Sequence, residues 1–118
     1  MTLAHRRRYA ERVLDLYRCT PGASGFARRA DRALAAALFD RQVPLETVHA
    51  ALLLAVARRA RRPSNVTPLA AIASLHYFLP IIEELIAAPP DPAYFQYIRQ
   101  SLAKLAPALV AASDHQIP

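Results

Sequence analysis

The sequence predicts an all-α protein, a compact bundle of five to six helices around one buried central helix at about residues 45–62. Three observations carry that expectation. Residues 50–57, Ala-Ala-Leu-Leu-Leu-Ala-Val-Ala, are apolar at every position, so a helix through them has no polar side and must be covered by neighbours. Nowhere does the chain alternate with period two, and it has no Asn-Gly or Asp-Gly turn. Both glycines fall in one loop, and prolines divide the rest into segments of helical length.

The first helix is expected over residues 3–18, where Tyr9, Val13, Leu16 and Tyr17 share one face. The Arg6-Arg7-Arg8 run at its start opposes the helix dipole, a cost of a few tenths of a kcal/mol that a binding role or a frayed arm would explain. Residues 20–25, Thr-Pro-Gly-Ala-Ser-Gly, stop it, with Ser24 placed to cap a second helix over about 25–41. Phe26, Ala30, Ala33, Leu34, Ala37 and Leu38 form the expected inward stripe of that helix, and Arg28, Arg29 and Arg32 a basic cluster on another side. The Gly-containing loop lacks the lysine and the preceding strand of a P-loop.

Gln42-Val43 is a connection of the length that joins antiparallel neighbours. Pro44 suits the first position of the central helix, and Glu46 suits its positive end. Arg58, Arg59, Arg61 and Arg62 sit where the C-terminus favours cations, and Pro63 ends the helix. Its apolar part is shorter than the roughly 20 residues that span a bilayer, so no membrane partner is expected. The loop 63–68 holds an Asn65-Val66-Thr67 sequon, discounted because Pro68 follows and no secretion signal precedes.

A fourth helical segment is expected from near Pro68 to Ile86, with a break at Ser74 and a kink or fresh start at Pro80, which has no N–H to give. The run 89–92, Pro-Pro-Asp-Pro, ends it. A fifth helix follows from about Ala93 with Tyr94, Ile98, Leu102 and Leu105 on one face, and Pro107 closes it or opens a last short turn. Residues 1–112 read as a single helical domain and 113–118 as a flexible tail.

Charge is the most informative bulk property. Through Arg62 the chain carries +8 and beyond it −2, giving the overall +6, and fourteen of the fifteen basic residues are arginine. Such asymmetry suggests a polyanionic partner, nucleic acid first, although a merely solvated basic surface would look the same. The single cysteine, Cys19, excludes an internal disulfide and points to a reducing compartment, the cytoplasm by default.

Chemistry is scarce. His5, His49, His76 and His115 lie in four segments without metal-ligand spacing, so each reads as a core or surface histidine and no metal or cofactor is expected. Glu83 and Glu84 lie about 100° apart on a helix, which suits salt bridges to the basic half better than general acid–base work. Asp31, Asp40 and Asp91 are isolated in sequence, and the chain does not read as an enzyme. Tyr77, Phe78, Tyr94, Phe95 and Tyr97 read first as core volume in a chain without tryptophan, with stacking on unpaired bases open to one or two of them.

The run 43–48, Val-Pro-Leu-Glu-Thr-Val, its Ala/Arg-rich helix, and 72–84, Ile-Ala-Ser-Leu-His-Tyr-Phe-Leu-Pro-Ile-Ile-Glu-Glu, together resemble helical accessory domains of replication-initiator and DnaD-like primosomal proteins of bacteria and their mobile elements. The resemblance covers about residues 43–86 and implies DNA binding or contact with replication proteins. Its pattern departs in having no winged-helix domain ahead of the matching region.

Two functions follow as expectations. One is a small DNA-binding or replication-accessory protein that contacts phosphates through Arg6, Arg7, Arg8, Arg12, Arg28, Arg29, Arg32, Arg58, Arg59, Arg61 and Arg62. The other is a helical adaptor or oligomerisation module that meets an acidic protein partner, and a homo-oligomer is compatible with either. The short connection makes the second helix antiparallel to the central one, so Arg28, Arg29 and Arg32 are expected at the same pole as Arg58, Arg59, Arg61 and Arg62, in one patch.

Overall fold

A computed structural model describes residues 3–61 and 71–112. Six α-helices make up the described chain: α1 (Leu3–Arg18), α2 (Arg29–Asp40), α3 (Leu45–Ala60), α4 (Leu79–Ala87), α5 (Pro92–Ser101) and α6 (Pro107–Ala112). A 3-10 turn, Leu75–Phe78, leads into α4. No strand occurs among the described residues, in agreement with the all-α expectation; one isolated bridge joins Ala23 and Ile72.

The apolar run organises the molecule as its sequence requires. Every residue from Val48 to Ala57 is buried, and α1, α4, α5 and the 3-10 turn all pack on α3. Tyr17, Leu52, Leu53, Phe78, Ile82, Ile98 and Leu109 are among the fully buried side chains of one continuous core. Leu45, at the start of α3, is only partly buried and packs against the edge of that core. Pro44 stands one place before the first turn, as the N-cap, with extended backbone.

Several boundaries and faces differ from expectation. Helix α2 begins at Arg29 rather than near Gly25, and Arg28 is its N-cap. The Ser24 side chain accepts instead from the Phe26 N–H, within the loop. Phe26 is 72% exposed, and Ala30, Ala33 and Ala37 face outward too; the buried face of α2 is Asp31, Ala35 and Leu38, flanked by Leu34. The stripe was misread because its first member is a carboxylate, which a hydrophobic pattern assigns to solvent. Similarly, Tyr94 and Leu105 of the expected α5 stripe are exposed, while Phe95, Ile98, Leu102 and Ala106 turn inward.

The part of the fourth segment within the described residues is not helical before Leu75. Ile72 is extended, donating to the Gly22 carbonyl at 2.7 Å and accepting from the Ser24 N–H at 2.8 Å. Gly22 holds a left-handed φ of +90° there, a backbone conformation that favours glycine. Ser74 then caps the 3-10 turn through the His76 N–H. Pro80 sits in the first turn of α4, where its missing N–H removes no helical bond, so the chain makes a fresh start at this point.

Asp31 joins these parts. Only 1% exposed, its carboxylate accepts from the Arg28 N–H at 2.9 Å, the Leu75 N–H at 2.9 Å and the Ser74 hydroxyl at 3.0 Å. Burial alone would raise its pKa, but the hydrogen bonds from Arg28, Leu75 and Ser74 outweigh burial and hold it below the usual carboxylate value. An aspartate that looked isolated in sequence thus ties the start of α2 to the segment before α4.

Candidate nucleic-acid interface

Helix α2 packs chiefly along α1, and α1 in turn packs on α3. The start of α2 and the end of α3 do meet a common segment, since Asp31 receives Ser74 and Leu75 while Arg59 donates to the Tyr77 hydroxyl at 3.2 Å. Among the described residues, however, three arginines of the expected patch turn to different helices. Arg29 and Arg32 turn toward α1, and Arg58 toward α4.

What forms instead is an open groove of about 550 Å³ between α1 and α2, lined by Arg6, Arg7, Glu11, Arg29, Arg32 and small residues including Ala33 and Ala36. Arg6 donates to both carboxylate oxygens of Asp40, at 3.0 and 2.9 Å. Arg32 pairs with Glu11. Hydrogen bonding to Arg32 lowers the Glu11 pKa, and bonding to Arg6 lowers that of Asp40, so both carboxylates remain charged at neutral pH. Four guanidinium groups therefore meet two carboxylates. Arg7 and Arg29 form no ion pair among the described residues and leave the groove with excess positive charge.

Of the other arginines singled out, Arg8 and Arg28 are exposed and Arg12 half-buried. Arg58 is fastened to Glu84 through two hydrogen bonds of 3.1 and 2.7 Å. Its neighbour Arg59 lies over the Tyr77 ring, 5.6 Å from the centroid, and Arg61, exposed, is the C-cap of α3. Arg62, the sequon and the tail 113–118 lie outside the described residues. Glu83 pairs with Arg41 while Glu84 pairs with Arg58, so adjacent carboxylates reach different helices, as their angular separation on α4 requires. Arg41, at the end of α2, carried no sequence signal for this role.

His49 is a core histidine whose Nε2 donates to the Leu109 carbonyl at 2.7 Å and ties α6 to α3. A second cleft, of about 640 Å³, opens beside it between α3 and α5, with Glu46, Leu53, Leu85, Phe95 and Arg99 in its walls. Among the described residues no three His, Cys, Asp or Glu side chains gather as metal ligands would, and no helix is long and apolar enough to cross a membrane. No family model, curated protein or solved structure matches this chain.

Proposed function

We propose that this protein is a small helical nucleic-acid-binding module of the cytoplasm, a replication accessory whose DNA backbone lies in the α1–α2 groove. The observation that supports the reading is the convergence of Arg6, Arg7, Arg29 and Arg32 from two helices on one groove with alanine in its wall. Small side chains let a phosphate approach closely, and guanidinium groups bind phosphate oxygens in a planar fork. Backbone contact of this kind carries no sequence information, so affinity should be alike across sequences and steeply dependent on salt. The similarity of residues 43–86 to DnaD-like accessory domains supports the replication role.

Fluorescence anisotropy of a labelled DNA duplex at several salt concentrations tests it. The parent should lose affinity as salt rises, and Arg7→Ala with Arg29→Ala should weaken binding to every sequence and flatten the slope of log K against log salt by roughly 0.9 for each lost contact. A doubly substituted protein that binds as the parent does would overturn the assignment of the groove. Binding of an acidic peptide in place of DNA would favour the adaptor function.

A further inference from the structure

Tyr77, Tyr94 and Tyr97 were expected mainly as core volume, yet they are 44%, 43% and 58% exposed. Phe78 is buried and Phe95 half-buried, so the phenylalanines fill the interior and the tyrosines do not. Two of these tyrosines adjoin the arginines at the end of α3. Arg59 lies over one face of the Tyr77 ring, and the Phe78 ring packs at 78° to it with centroids 5.1 Å apart. Tyr94 lines a small apolar pocket together with Leu54, one helical turn before Arg58 on α3, and with Leu85 and Ile98. Tyr97 follows one turn later on the same side of α5. With Arg58 held by Glu84 and Arg61 exposed at the C-cap, three guanidinium groups and one carboxylate accompany two supported aromatic rings.

We infer that this strip takes unpaired nucleobases, so that the nucleic acid bound is single-stranded, with bases stacked on Tyr77 and Tyr94 and phosphates on Arg59 and Arg61. The inference rests on the nucleic-acid reading and adds the form of the ligand. A duplex hides the faces of its bases and gives such rings nothing to stack on, whereas a single strand presents a π-face at every residue together with a phosphate. The surface is also complementary in charge, since among the described residues Arg58, Arg59 and Arg61 accompany one carboxylate, Glu84.

The chain has no tryptophan, so its intrinsic fluorescence comes from its five tyrosines, of which Tyr77, Tyr94 and Tyr97 are three. Titration with oligothymidylate and with a duplex of equal length is the experiment. The parent should bind the single strand more tightly, with quenching of tyrosine emission. Tyr77→Leu and Tyr94→Leu, each checked for parental circular dichroism, should each weaken single-strand binding roughly tenfold and leave duplex affinity and salt slope unchanged. Tyr77→Phe keeps the ring but loses the hydrogen bond from Arg59, and should bind the single strand more tightly than Tyr77→Leu does. Equal or tighter binding of the duplex, or leucine variants that bind oligothymidylate as the parent does, would overturn the inference while leaving the groove intact. Failure of the parent to bind either form would bring down the nucleic-acid reading itself, and this inference with it.

Discussion

Replacing Asp31 with alanine should be among the most damaging single changes outside the apolar core. The substitution removes a buried carboxylate that accepts three hydrogen bonds, at 2.9, 2.9 and 3.0 Å. Two of its donors are backbone N–H groups, and the Leu75 N–H lies in a buried setting. A hydrogen bond to a charged group contributes about 1.5–3 kcal/mol, and water can reach the exposed start of α2 to replace part of the loss, so a net cost of roughly 3–5 kcal/mol is expected. For a domain of this size that corresponds to a fall in Tm of about 10–20 °C.

Asp31→Asn separates the contributions. An asparagine oxygen can still accept from Ser74 and Leu75, but its amide would face the Arg28 N–H donor to donor, so a smaller cost of about 1–2 kcal/mol is expected. The pH dependence follows from the direction of the shift. Because the folded state lowers the Asp31 pKa, its contribution is fully present above the unfolded value of about 3.9 and is lost as pH falls through the folded value. Urea unfolding followed by circular dichroism at neutral and acid pH reads both effects, and the difference between parent and Asp31→Asn should shrink in acid. An alanine variant within about 0.5 kcal/mol of the parent at neutral pH would refute the role given to this carboxylate.

Leu53→Ala, in the fully covered middle of α3, should cost roughly 2–5 kcal/mol in the same assay, and a surface-sized loss would mean that the helix is not central. Gln42 holds a left-handed φ of 60° just after α2, where its N–H reaches the Phe39 carbonyl and that of Val43 reaches Leu38. Glycine fits that conformation without the side-chain penalty, so Gln42→Gly should raise stability by about 0.5–1 kcal/mol after its extra unfolded-state entropy is counted, as a shift in the urea midpoint. Glu11→Gln should release Arg32 into the groove, tighten DNA binding and steepen the salt slope by up to about 0.9, with little change in stability because the pair is exposed. A variant that binds DNA more weakly would mean that Glu11 positions Arg32 rather than competing with phosphate.

The residues of α3 determined its place by composition alone. A helix with no polar face has one stable environment, the interior, and no knowledge of its neighbours is needed to put it there. Pro80 was equally informative, because a missing N–H limits where a helix can run through it. Helix α2 was not legible in this way. Its buried face includes Asp31, and a carboxylate becomes an interior residue only when the fold brings Ser74 and Leu75, more than forty positions away, to its oxygens. The exposed tyrosines show the converse, since aromatic rings enter the core only where the packing leaves room, and Phe78 and Phe95 had taken it. Arginine clusters were visible in the chain as charge, but which of them share a surface depended on α2 lying along α1. That choice is made by the apolar faces that pack together, so the α1–α2 groove is a property of the tertiary structure, and the abundance of guanidinium groups that fill it a property of the sequence.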